Sequence, residues 1–239
     1  MSKENTSYLL GLFALTFALC LSACTTVSAV NDTASAETLD AELRAITSEV
    51  KHPLASLSAL VVRDGRVAYE GQFGRKRIDY VMPERSLAAN RDTMYRIASI
   101  SKLITTLGVM KLFEEGKLSL DTDVGVYLGW SLRNPHFPEV PITLRMLLTH
   151  RASITDEAGY YWEDKLNVNL KDVFTPGGSY YGKGDMWSKK ARPGYYFQYG
   201  NLNWGVIGTV LERASGERFD RLMKRVVFDP LGIRGGFNP

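Results

Sequence analysis

The chain has 239 residues, of which 45% are hydrophobic and 23% charged, and it carries a formal net charge of +3. These proportions lie in the ordinary globular range and exclude both a disordered chain and a multispan membrane protein. The densest basic run, Arg75-Lys76-Arg77, is too short for a nucleic-acid patch and reads as a solvated loop, so no nucleic-acid partner is expected.

At the N-terminus Lys3 precedes an apolar stretch over 8–21 that is long enough for an export signal and too short to span a bilayer. The stretch ends in Leu21-Ser22-Ala23-Cys24, which resembles the lipobox of bacterial lipoproteins. The resemblance implies a signal peptide over 1–23, lipidation of Cys24, and a lipid anchor holding the protein to a bacterial membrane of the cell envelope, on the periplasmic side or at the outer membrane. The alternative is cleavage after Val27-Ser28-Ala29, which gives a soluble secreted protein. Cys20 and Cys24 are the two cysteines, one removed and one lipidated on the first reading, so the fold holds without a disulfide. Small and polar residues over 30–36 suit a flexible tether spanning 24–36, followed by a folded domain over 37–239.

Leu39, Leu43, Ile46 and Val50 recur at helical spacing before the breaker Pro53 and predict an amphipathic first helix. Residues 57–63 and 66–73 are β-rich runs separated by Asp64-Gly65, a dipeptide suited to a tight hairpin turn. Beyond a polar loop, 100–115 reads as a helix with Leu103, Leu107 and Met110 on its apolar face and Gly116 as its stop. Thr143 caps a short helix over 144–150, and a Gly- and aromatic-rich connection over 160–196 follows. A helix over 202–214 stops at Gly216, and Phe219, Leu222, Met223 and Val226 mark one more before Pro230-Leu231-Gly232.

Arg96-Ile97-Ala98-Ser99-Ile100-Ser101-Lys102 places a hydroxyl and an amine on one face where a loop enters a helix. A serine hydroxyl is a poor nucleophile until a base takes its proton, and a lysine one turn on is positioned to do so. The helix N-terminus adds roughly 0.3 to 1 kcal/mol for negative charge developing nearby. The pattern alone is weak, because Ser48-Glu49-Val50-Lys51 matches it equally well at the end of an ordinary helix.

The neighbours of Ser99 distinguish the two. The stretch over 95–120 resembles the active-site helix of the class C β-lactamase family, which includes penicillin-binding DD-peptidases and esterases. Three further segments follow in that family's order: 142–150, then Pro193-Gly194 to Tyr199-Gly200-Asn201, then Asp229-Pro230-Leu231-Gly232. The resemblance implies an α+β fold of the β-lactamase/transpeptidase type, an antiparallel sheet flanked by helices plus a helical subdomain. It implies a serine hydrolase acting through an acyl-enzyme on a small-molecule ester, amide or β-lactam. Ser99 is then the nucleophile, Lys102 and Tyr199 move protons, and Asn201 holds the substrate's amide or the lysine.

His150 ends a segment that in the family usually continues Thr-Ser-Gly, whereas here Arg151-Ala152-Ser153 follows, which puts the local turn in question. His150 is read as structural. His52 and His136 are scattered, with no cluster at ligand spacing, so neither a metal nor another cofactor is expected. The aromatic residues Tyr160, Tyr161, Trp162, Trp187 and Tyr196 either pack the long connection or line a pocket.

The family's third motif, Lys-Thr-Gly or a His-x-Gly variant, does not occur as Lys-Thr-Gly before Pro239, so the sequence reads as C-terminally truncated, with the family's later strands missing. On that reading an oxyanion-hole donor is lost, typically about 100- to 1,000-fold in rate, and a two-stranded hairpin is left with exposed edges. The alternative function is then a non-catalytic envelope lipoprotein, an inactive remnant or a ligand-binding module.

Overall fold

A computed structural model describes residues 32–49, 51, 54–157, 159–160, 168–182 and 184–237. The signal segment over 1–23, Cys24, Val50, His52, Pro53, Tyr161 and Trp162 lie outside them. The chain divides into two compact units, one ending at Met94 and one beginning at Tyr95.

In the first unit, helix α1 (Asp32–Ser48) packs against a three-stranded antiparallel sheet of β1 (Ser56–Arg63), β2 (Arg66–Arg77) and β3 (Leu87–Ala88), in that order. The helix starts ahead of residue 37 and takes in 32–36, a stretch whose composition alone indicated a tether. Asp64 and Gly65 both have positive φ, 51° and 72°, as the two-residue hairpin turn requires, and Arg63 pairs with Arg66 across it. Helix and sheet meet where the Tyr69 hydroxyl donates to Asp40 Oδ1 at 2.6 Å and the Arg44 guanidinium sits 5.4 Å over the Phe73 ring. The Asp40 hydrogen bond, with burial adding to it, pushes the Tyr69 phenol up to about 12. Strand β3 is too short for its two residues to carry a periodic signal, so the sequence shows a hairpin where the fold has three strands.

The second unit is helical. Helix α2 (Ser101–Glu114), α3 (Gly125–Leu128), α4 (Leu144–Leu148), α5 (Leu170–Phe174), α6 (Leu202–Ser215) and α7 (Phe219–Met223) surround a core that includes Leu112, Leu147, Ile207, Leu211 and Leu222. A π turn over Lys224–Phe228 continues α7 and accounts for Val226 lying on its apolar side. Helix α2 ends as anticipated: Gly116 takes φ 66°, and Lys117 N–H closes onto the Leu112 carbonyl at 2.9 Å. Thr143 caps α4 by accepting the Met146 N–H, and Gly216 ends α6 at φ 72°.

The face of α2 differs from the one its spacing indicated. Leu103 is 62% exposed and Leu107 and Met110 are also exposed, while Thr105, Gly108, Val109 and Leu112 are buried. The helix is apolar nearly all round, so helical periodicity fits two stripes, and packing selects the one with the small residue. A Cβ at position 108 would meet Met223 Sδ at 2.5 Å, so Gly108 is what lets α7 approach.

The long connection over 160–196 is also less irregular than its composition implies. It contains α5, capped by Asn169, and its segment 186–188 pairs with 153–155 through Thr155 N–H to Met186 O and Ser188 N–H to Ser153 O, both 2.9 Å. Trp187 is 2% exposed, stacks edge-on against Phe174 and donates to its carbonyl, so this indole belongs to the core and does not line a pocket.

Candidate active site

Ser99 sits in a tight 3-10 turn, Ala98–Ile100, that leads directly into α2. Ala98 just before it has φ 43°, a left-handed backbone that a residue with a Cβ adopts at some strain. The turn faces the serine out, and one helical turn later Lys102 returns along the same face, its Nζ donating to Ser99 Oγ at 3.0 Å.

Tyr199 and Asn201 arrive from the other end of the unit, immediately ahead of α6. The Tyr199 hydroxyl lies 2.8 Å from Ser99 Oγ, and Asn201 Oδ1 accepts from Lys102 Nζ at 2.9 Å. Four side chains separated by as many as 102 positions (201 − 99) therefore share one hydrogen-bonded cluster, with Lys102 at its centre. The phenol is lowered from its usual range, first by hydrogen bonding to Lys102 and then to Ser99, while partial burial opposes the shift. With 46% of Tyr199 exposed, solvent screens part of this effect.

The other Ser-x-x-Lys behaves differently. Ser48 Oγ bonds back to the Arg44 and Ala45 carbonyls of its own helix and takes no part in such a cluster.

His150 lies under the cluster. Its ring stacks on Tyr199 with centroids 4.5 Å apart, and Nδ1 accepts the Gly200 N–H at 3.2 Å, which leaves the ring proton on Nε2. Burial, with the charge of Lys102 adding to it, lowers its pKa from the usual imidazole value. His150 takes φ 55° and Ser153 φ 64°, so the turn forms with serine where the family has glycine. Ser153 is tied in by its hydroxyl, which accepts from Asn134 Nδ2 at 2.7 Å and donates to the Ala191 carbonyl.

Asp156 is the residue that sequence reasoning missed. Its Oδ2 accepts from Asn201 N–H at 2.7 Å and from Asn201 Nδ2 at 2.9 Å, and its Oδ1 accepts the Leu202 N–H at 3.1 Å. The one signal available is an acidic residue shortly after the His150 segment, which no local pattern separates from a loop aspartate. Tyr160 and Tyr196, by contrast, are exposed side chains.

The beta-lactamase family model matches residues 38–237. Among curated proteins, the chain is 26% identical over 185 residues to penicillin-binding protein 4* of Bacillus subtilis, covering 74% of this chain and 36% of that protein. It is 27% identical over 189 residues to the D-alanyl-D-alanine-carboxypeptidase/endopeptidase AmpH of Escherichia coli, covering 74% and 43%. The chain thus spans less than half the length of these relatives. Among solved structures, an octameric penicillin-binding protein homologue from Pyrococcus abyssi superposes with a TM-score of 0.61 at 31% identity, over 84% of this chain and 43% of that one. EstCE1, a hydrolase with promiscuous acyltransferase activity, superposes at 0.66 with 26% identity, over 88% and 55%. With the family model matching most of this chain and the same fold in these neighbours, the chain belongs to the beta-lactamase family, within its serine-based branch.

Proposed function

We propose that the protein is a serine hydrolase that opens an ester, amide or β-lactam carbonyl through an acyl-enzyme on Ser99. The observation that carries this reading is the pair of short contacts at one hydroxyl, Ser99 Oγ to Tyr199 Oη at 2.8 Å and to Lys102 Nζ at 3.0 Å. As Ser99 Oγ bonds to the carbonyl carbon, its proton passes to the Tyr199 oxygen. The cationic Lys102 favours negative charge on that oxygen, consistent with the lowered phenol. The same proton then goes to the leaving group as its bond to the carbonyl breaks, and water releases the acyl group by the reverse path. Asn201 Oδ1 accepts a hydrogen bond from Lys102 Nζ and thereby fixes the amine beside Ser99 Oγ.

Labelling with a fluorescent fluorophosphonate and with a fluorescent penicillin tests this and separates general acyl transfer from β-lactam recognition. Ser99→Ala abolishes labelling, and Lys102→Ala and Tyr199→Phe each slow it by about 10²- to 10⁴-fold. Labelling that persists unchanged in Ser99→Ala rejects the reading.

We also propose that the protein works at the cell envelope, held by lipid on Cys24, a reading that rests on Leu21-Ser22-Ala23-Cys24. Among the described residues no helix is long and apolar enough to cross a membrane. Incorporation of radiolabelled palmitate that is lost in Cys24→Ala supports the anchor, and a protein that never takes up lipid argues against it.

A further inference from the structure

We propose that Asp156 is a positioning residue of this site, setting the Asn201 amide so that its oxygen, not its nitrogen, faces Lys102. The inference rests on the role given above to the Ser99 cluster and adds to it the element that orients one member.

A carboxamide has a donor end and an acceptor end of nearly the same shape, so its orientation is decided by what it meets. Here the donor end meets a carboxylate: Asn201 Nδ2 donates to Asp156 Oδ2 at 2.9 Å. The acceptor end then faces Lys102 Nζ, at 2.9 Å. Turning the amide over would set oxygen against carboxylate and NH2 against ammonium, losing both hydrogen bonds and placing like dipole ends together. Asp156 and Lys102, of opposite charge, therefore select one orientation from its two sides.

The carboxylate also holds the backbone that carries the amide. Asp156 accepts the Asn201 and Leu202 N–H groups at 2.7 and 3.1 Å, which are free donors at the start of α6. This fixes the point at which the chain leaves Tyr199 and enters the helix. Asp156 itself is anchored independently of the cluster. The preceding Thr155, buried, donates its N–H to Met186 O at 2.9 Å and its hydroxyl to Asp185 O at 2.6 Å. The order of control runs from the 153–155 and 186–188 pairing, through the Asp156 carboxylate, to the Asn201 amide and so to Lys102.

The test uses the full chain with Asp156→Asn, Asp156→Glu, Asn201→Ala and the Asp156→Asn/Asn201→Ala pair, reading the second-order rate of Ser99 labelling by a fluorescent fluorophosphonate. Asp156→Asn slows labelling by about 10- to 100-fold, Asp156→Glu recovers part of it, and the pair is no slower than Asn201→Ala alone. Losses that multiply in the pair, or a normal rate in Asp156→Asn, overturn the proposal, because a residue that only stabilises α6 would act without Asn201. A neutron crystal structure of Asp156→Asn, which locates the amide deuterons, provides a readout free of activity: Asn201 Oδ1 moves out of reach of Lys102 Nζ, and an unchanged contact overturns the proposal. If the variant does not fold, hydrogen exchange of the Asn201 side-chain amide in the unsubstituted protein decides. One slowed proton supports the Asp156 bond, and two protons exchanging at the solvent rate reject it. Absence of Ser99-dependent labelling in the unsubstituted protein would instead reject the hydrolase reading, leaving the crystal and exchange measurements to judge Asp156.

Discussion

The Tyr199 phenol is held below its ordinary range near 10 by Lys102 and Ser99, and the sign of the resulting pH dependence follows from which form accepts the proton. On the proposed mechanism phenolate is the accepting form, so the rate at which Ser99 is labelled is expected to rise with pH and to reach half its limit below pH 10. Tyr199→Phe loses that limb, and a variant with the same profile as the parent would remove the phenol from the proton path. Ser99, Lys102, Tyr199 and Asn201 are legible in the sequence because each sits in a motif with its own spacing. His150 and Asp156 are less so. The sequence reads the histidine as structural without placing it, because its stacking under Tyr199 depends on a turn with two non-glycine residues at positive φ, which no pattern of residue types announces. The aspartate acts through three hydrogen bonds to a segment 45 and 46 positions away.

Caps and turns were the most legible elements, because their chemistry is local. Asp64-Gly65, Gly116, Thr143 and Gly216 all serve as their residue types indicate. Thr143→Ala removes the side-chain acceptor for the Met146 N–H and is expected to lower stability by about 1 kcal/mol, measured by urea unfolding. No change in midpoint would mean that the Asp123–Thr143 pairing alone fixes the start of α4. The direction in which a helix faces is set by tertiary packing, so it is the least legible feature of these elements. Helix α2 offers apolar residues on several sides, and the buried side is decided by Gly108 meeting Met223, a contact between residues 115 positions apart (223 − 108). The same holds for Trp187, whose place in the core comes from the pairing of 186–188 with 153–155.

At the scale of the molecule, the fold class was legible through the order of four motif segments, and the division at Met94 was not, since the polar stretch around it resembles any surface loop. The sheet unit presents Leu60, Val62 and Val67 to solvent, and the helical unit presents Leu103, Leu107 and Phe113. Apolar side chains exposed in such runs are features that composition, averaged over the chain, cannot reveal. The helical unit carries the whole of the hydrogen-bonded cluster, from Ser99 at the entry to α2 to Asn201 at the entry to α6. Its chemistry is tested most directly by incubating the full chain with p-nitrophenyl butyrate, quenching in acid, and mapping the acylated peptide by mass spectrometry. The account predicts a butyryl group on the peptide that contains Ser99 and none in Ser99→Ala. Acylation confined to another residue, or equal in the two proteins, would contradict it.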